Sequence, residues 1–273
     1  MTKKKIIAGG CSFTLGNELS DDKDGKTPSK HSWAKLLADK IDATYVCTAG
    51  GGLGNQAIAR RVFTALDQNT CNHSNPYNDI QGVVVMWSFL SRYDWAMPRH
   101  KNLENTRWTT ISPWDTSMAD KERSKALLGS ETQQEHWKMR EQSMIETGVK
   151  PFAESIYKYA ANEYHEIYLS WKSIIWLQNI LEKKKIPFMF TLADNSLFYS
   201  TFYHHKDKDG FMSSLFKEIN FHKWFPFGER QMGFNQWSLL EDYDRGTTHP
   251  LDKAHEDAVK LMLPTFNKLI GGK

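Results

Sequence analysis

Apolar and polar positions along the chain alternate between two periods. Lys3 to Ala8 is a basic lead-in to a short apolar run, Ala43 to Ala49 is a second run, and Pro187 to Ala193 is another. Gly82 to Met86, ended by Trp87-Ser88, is continuous and β-branched, the pattern of a strand buried on both faces of a parallel sheet. Between these runs apolar residues recur at three and four. Trp33, Leu36, Leu37 and Ile41 do so in 31–41, and Ile58, Val62, Phe63 and Leu66 in 56–66. Tyr164, Ile167, Tyr168, Trp171, Ile174, Ile175 and Leu181 mark one long helix over 151–185, and Ala254, Ala258, Leu261, Met262 and Leu269 mark another over 252–270. Strand, glycine turn, helix and strand in this order is a βαβ pattern, whose right-handed crossovers place the strand ends on one edge. The expectation is an α/β fold: a doubly wound α/β/α sandwich with a mostly parallel central sheet of four or five strands.

The pattern lapses twice. Residues from about 98 to 150 are mixed in charge and carry Trp108, Trp114 and Trp137, with short helices expected near 120–128 and 132–145. Residues 196–244 hold His204, His205, His222 and an aromatic cluster from Trp224 to Phe227. Both read as irregular insertions into a single domain spanning 1–273. The first is either a lid or recognition patch beside the site, or a decorated surface or oligomer contact.

Composition narrows the function classes. A formal charge of +3 over 273 residues is too small to argue for nucleic acid, whose binding draws on Lys and Arg clustered across one face. Cys11, Cys47 and Cys71 form no CxxC pair and no Cys/His spacing suited to zinc, so no disulfide framework, metal or cofactor is expected. No apolar run approaches the roughly 18 residues of a membrane helix, and the first residues read as a strand without a signal-peptide core. A soluble, cytoplasmic protein is expected, with no membrane partner. The aromatic content, ten Trp, ten Tyr and fifteen Phe, offers stacking surfaces for sugars, bases or a protein partner.

Candidate chemistry sits at three turns. Gly9-Gly10 breaks the first strand and leaves Ser12 in a tight turn at its C-terminal end, where open α/β sheets hold their sites. A hydroxyl there, beside free backbone N–H groups, suits a nucleophile, although a plain Gly/Ser/Thr turn has the same sequence. Gly50-Gly51-Gly52-Leu53-Gly54-Asn55 follows the second strand, and Thr248-His249-Pro250 precedes the last helix. A nucleotide-binding reading of the glycine turn fails for want of the GxGxxG spacing and of a P-loop lysine.

Gly10-Cys11-Ser12-Phe13-Thr14-Leu15-Gly16 resembles the first block, GDSxTxG, of the SGNH hydrolases, the GDSL-like esterases and lipases, with Cys11 in the place of Asp. The GCSFT start is similar to hydrolase-like proteins of phage genomes. Thr248-His249-Pro250-Leu251-Asp252-Lys253-Ala254-His255 resembles the second half of the family's last block, DxxHPxxxGH. The resemblance implies a Ser12 nucleophile and a His249 base, with His255 a non-catalytic capping or buried histidine. It implies an oxyanion hole drawn from Gly52 or Gly54, with Asn55 and Ser88 as further donors. Two blocks depart from the family. Gly246 stands where an Asp should orient the histidine, making Asp244 the nearest expected acid, with Asp242 and Asp194 behind it. Met86-Trp87-Ser88-Phe89 replaces GxND, and Trp87, Arg92 and Trp108 become the residues expected against substrate. The function implied is a serine esterase or deacylase acting on a small-molecule or carbohydrate ester, O-acetylated sugars included. The alternative is a catalytically degraded binding or structural module, such as a virion component, with oligomer or virion assembly as its role.

Overall fold

The computed structural model describes residues 3–71, 75–97, 108–116, 138, 142–199 and 210–271. In chain order the elements that matter here begin with β1 (Lys5–Gly9), α1 (Ser12–Leu15), α2 (Trp33–Lys40), β2 (Thr44–Cys47) and α3 (Asn55–Gln68). They continue with β3 (Ile80–Trp87), β4 (Tyr93–Ala96), β5 (Trp108–Ile111), α4 (Val149–Tyr159), α5 (Glu163–Lys183) and β6 (Phe188–Leu192). The remaining helices are α6 (Ser196–Tyr199), α7 (Gly210–Lys217), α8 (Phe234–Leu240) and α9 (Asp252–Gly271).

Four strands form a parallel sheet in the order β2-β1-β3-β6. Strand side chains alternate between faces, and the alternation sorts the apolar residues into two cores. Ile6 and Ala8 of β1, Val84 and Met86 of β3 and Met189 of β6 share one face. Ile7, then Val83, Val85 and Trp87, then Phe188, Phe190 and Leu192 share the other. Helices α2 and α9 cover the first face through Trp33, Leu37, Ala258 and Met262, while α3 and α5 cover the second through Ile58, Val62, Trp171 and Ile174. Each fully buried side chain of this size contributes about 1.5–3 kcal/mol, so both layers are held to the sheet independently. The result is the expected α/β/α arrangement with a parallel sheet, and it aligns the C-terminal ends: Gly9 pairs with Val85, and Trp87 with Leu192.

Several local expectations change. The long helix over 151–185 is two helices, because Asn162 caps α5 by accepting the His165 N–H at 2.8 Å and forces extended backbone between α4 and α5. An antiparallel hairpin forms from β4, just ahead of the first insertion, and β5 within it, and residues 142–146 are helical. In the second insertion α8 is regular and buries Phe234 and Trp237. Trp33, Trp87, Trp171 and Trp224 are all buried, so much of the aromatic surplus is core. The helix expected near 120–128, together with Trp137, His204 and His205, lies outside the described residues. Among those described, no helix is long and apolar enough to cross a membrane.

Candidate active site

Beyond Gly9 the chain turns sharply into α1. A side chain on Gly10 would run into the Thr14 hydroxyl, so only glycine allows that approach. Cys11 is the N-cap of α1 and is fully buried beside Ala8 and Phe13, whereas Ser12 faces a cleft of about 900 Å³ at the C-terminal edge of the sheet. The N–H groups at the start of a helix have no intrahelical acceptor, and that of Ser12 is the first of them.

His249 reaches the same cleft from a tight turn between α8 and α9. Arg245 and Pro250 form an antiparallel bridge across it, with Gly246 N–H donating to the His249 carbonyl at 2.9 Å and Leu251 N–H to the Asp244 carbonyl at 2.9 Å. Arg245 ties the turn to α8 through Asn235 at 2.8 Å and Ser238 at 3.1 Å, and also donates to the Thr248 carbonyl. The imidazole packs on Phe13, ring centroids 4.6 Å apart, and its Nε2 stands 2.8 Å from Ser12 Oγ.

The carboxylate behind His249 belongs to Glu18. Its Oε2 lies 3.4 Å from His249 Nδ1 and accepts the backbone N–H groups of Thr248 at 3.0 Å and His249 at 3.1 Å. Thr248 Oγ1 is 2.9 Å from the same Nδ1. Glu18 has a left-handed φ of 67°, a conformation that costs a non-glycine residue of order 1 kcal/mol, and its own N–H is held by Asp22 Oδ2 at 2.8 Å. Asp244, the expected acid, is exposed and lends the turn only its carbonyl. Asp194 is also committed elsewhere, accepting from Ser196 N–H and Gln236 Nε2. The geometric reason is Gly246: a β-carbon there would collide with the Glu18 carboxylate, so the space an acid on the His249 turn would use is already taken.

These contacts set the charge states. Burial lowers the His249 pKa below the ordinary histidine value, opposed by Glu18 and reinforced by Arg245 and Arg92. That direction favours the neutral imidazole at neutral pH. Burial raises the Glu18 carboxyl, but the two backbone donors and the imidazole outweigh it and hold the group below its usual range. With Nε2 accepting from Ser12, the Nδ1 proton faces Glu18 and Thr248, an assignment made from the hydrogen-bond network.

The expected oxyanion residues divide. Gly52 lines the cleft with a left-handed φ of 73°, next to Gly50 and Gly51. Gly54 does not, being the N-cap of α3 and packed so closely on the Arg92 carbonyl that a side chain is excluded. Asn55 is buried and spent: Oδ1 accepts the Ser88 N–H at 2.7 Å, while Nδ2 donates to the Ser88 carbonyl at 3.1 Å and Ser170 Oγ at 3.0 Å. Ser88 is likewise fully buried and takes a 2.7 Å hydrogen bond from Arg92. Asn55 and Ser88 therefore clamp α3 to the end of β3 rather than facing the cleft.

Of the three residues expected against substrate, Arg92 lines the cleft and the two tryptophans do not. Trp87 is fully buried in the core, edge-on to Phe190, because its place in β3 points it beneath α3 and α5. Trp108 lies on β5 with the Arg60 guanidinium 4.7 Å above its ring. Among the described residues the tryptophan that lines the cleft is Trp114, 53% exposed, in the short 3-10 turn after β5, beside Phe13 and Phe89. His255 is buried in α9 and its Nδ1 accepts the Trp33 N–H at 3.0 Å, capping α2. Glu18 and Arg61 were not singled out by sequence reasoning, whereas Trp114 was named within the first insertion as part of a candidate recognition patch, and the only signal for Glu18 was the missing acid at Gly246.

Fold and site together define a three-layer α/β protein with serine, histidine and carboxylate in line at the C-terminal edge of its sheet. No family model matches the sequence, and no curated protein does. Similar solved structures include an acetyl xylan esterase from the rumen bacterium Butyrivibrio proteoclasticus, 11% identical with a TM-score of 0.44, the match covering 99% of this chain and 65% of that one. A psychrotrophic esterase from a Pseudoalteromonas species is 12% identical with a TM-score of 0.47, over 98% of this chain and 99% of that one. A carbohydrate acetylesterase family member from Sinorhizobium meliloti is 12% identical with a TM-score of 0.42, over 98% and 99%.

Proposed function

We propose that the protein is an SGNH-type serine esterase that removes acyl groups, O-acetyl groups on carbohydrates among them, through an acyl-enzyme on Ser12. The observation that carries this is the alignment of Ser12 Oγ, His249 Nε2 at 2.8 Å and Glu18 behind Nδ1. Ser12 Oγ attacks the acyl carbon while its proton passes to Nε2, and Glu18 stabilises the imidazolium. The backbone N–H groups of Ser12 and Gly52 stabilise the oxyanion. As the C–O bond breaks, the departing alcohol takes the proton from Nε2. Water then attacks the acyl-enzyme with His249 again as base, giving the carboxylic acid and free Ser12. Trp114, exposed at the cleft, supplies a face on which a sugar ring can stack.

A binding or structural module, such as a virion component, is the second reading. The commitment of Asn55 to Ser88 favours it, since an asparagine donor is thereby lost to the oxyanion, and one lost donor costs about 10²–10³ in rate. One experiment separates the two. A fluorophosphonate probe is expected to label Ser12, and wild type to turn over p-nitrophenyl acetate and acetylated sugars while Ser12→Ala does not. Equal turnover by the two proteins, or none above buffer, ends the esterase reading.

A further inference from the structure

The cleft that Ser12 and His249 share is lined by basic side chains, and among the described residues its two arginines form no ion pair. Arg61 and Arg92 line the cleft with Ser12 and His249, and Lys26 joins them. Arg61 is anchored through Nε to the Thr48 carbonyl at 2.6 Å. Arg92 is anchored through Nη1 to Ser88 Oγ at 2.7 Å and the Leu53 carbonyl at 3.2 Å, with its guanidinium 5.1 Å from the centre of the Phe89 ring. Among the described residues neither guanidinium has a carboxylate partner, and the remaining nitrogens of each make no hydrogen bond. The contrast with the adjacent Arg60 is direct: it holds Asp94 with two hydrogen bonds of 2.7 and 2.9 Å, so that carboxylate is not available to Arg61. Asp24, the one carboxylate among the described residues that line the cleft, accepts the N–H groups of Lys26 and Thr27, both at 2.8 Å, and the Thr27 hydroxyl.

We infer that Arg61 and Arg92 form an anion subsite, and that the substrate is an ester whose alcohol portion carries a carboxylate or a phosphate. This rests on the esterase reading above. Each guanidinium is fixed by neutral acceptors along one edge, which restrains its rotamers before any ligand arrives and leaves part of its planar donor fork for an oxyanion. Uronic acids and sugar phosphates acylated on a hydroxyl have the required form: an acyl group for Ser12, a ring for Trp114 and an anion for the arginines.

The test uses O-acetyl esters paired to differ in charge: O-acetyl galacturonic acid against its methyl ester, and O-acetyl glucose 6-phosphate against O-acetyl glucose. Wild type is expected to prefer the charged member of at least one pair by about tenfold or more in kcat/KM, an advantage that shrinks with added salt. The pair that shows it identifies the anion. Arg61→Gln is expected to bring that ratio towards one, chiefly through KM, and Arg61→Lys to restore part of it. Equal kcat/KM within both pairs overturns the anion subsite and leaves the esterase reading intact. Loss of rate in Arg92→Gln on charged and neutral esters alike, with Arg61→Gln unchanged in its ratio, also overturns it. If no ester is turned over, the esterase reading falls, and calorimetry of galacturonate and glucose 6-phosphate decides the subsite. Binding that Arg61→Gln abolishes sustains it; absence of binding overturns it.

Discussion

The carboxylate of Glu18 occupies the space that a side chain on Gly246 would need, although the two residues lie far apart in sequence. The loop that follows the serine, rather than the histidine's own turn, supplies the acid that faces His249, an exchange relative to the DxxH pattern that the sequence resembles. The strained backbone of Glu18 and its two hydrogen bonds to the Thr248 and His249 amides are the local cost and the local restraint of that exchange.

Replacing Glu18 by Gln is therefore expected to lower kcat on p-nitrophenyl acetate by about a hundredfold or more, and Ser12→Ala and His249→Ala to lower it further, with little added by combining them. Asp244→Asn, by contrast, is expected to stay within about twofold of wild type, the usual range for an exposed side chain remote from the reacting atoms. Steady-state kinetics on the four proteins checks both statements.

The exchange can be reversed. Gly246→Asp alone places a second carboxylate against Glu18 and is expected to impair both folding yield and rate. Combined with Glu18→Ala, which clears the space, it is expected to recover about tenfold or more of the rate lost in Glu18→Ala alone. A double variant no faster than Glu18→Ala would show that the turn cannot present an acid to Nδ1.

The pH profile follows from the neutral imidazole. On the proposed mechanism His249 must be unprotonated to act as base, so kcat/KM is expected to fall as pH drops through a value below the ordinary histidine pKa of about 6.5. Glu18 opposes that depression, so Glu18→Gln is expected to move the acid limb to still lower pH while reducing the plateau. A limb that moves to higher pH in the variant contradicts the assignment.

His255 is expected to act on stability rather than on rate. Burial pushes its pKa down to about 3, and its Nδ1 must stay unprotonated to accept the Trp33 N–H. Between about pH 6.5 and 3 the unfolded chain binds a proton that the native state excludes, so stability falls as pH drops through that window, by up to about 1.4 kcal/mol per pH unit. His255→Ala is expected to lose about 2–4 kcal/mol at neutral pH, from the lost cap and the cavity together. It should also show a shallower decline in acid, and urea titrations at several pH values read both effects.

Cys11 is expected to resist alkylation in the native protein, because it is fully buried in the core while its neighbour Ser12 faces the cleft. Rapid modification by iodoacetamide with loss of turnover would point to the thiol as the reacting group.

The sheet and its covering helices were legible because each core strand is a short apolar run and each core helix keeps one apolar stripe. Val83, Val85 and Trp87 against Val84 and Met86 show the alternation directly. The hairpin was not legible, since Tyr93–Ala96 and Trp108–Ile111 are four residues each and their pairing is decided by packing against α4, through Tyr157 and Ile156. Nor was Glu18, one acid in a polar loop with Asp21, Asp22 and Asp24, where no periodicity distinguishes a partner of histidine from a solvated charge. Trp87 was misread for the opposite reason: its place beside the strand end suggested the cleft, and the strand's alternation turned it inward.

Ser12 and His249 are 237 residues apart in sequence, yet Oγ and Nε2 are 2.8 Å apart in space. During synthesis the nucleophile turn and Glu18 emerge first and have no base to act with. Only when the Asp244–Leu251 turn docks, held by Arg245 to α8 and followed by α9 closing over the sheet, does the hydroxyl acquire its partner. Hydrolysis by this chain would therefore report on completed folding, and partly made or partly unfolded copies would be chemically silent.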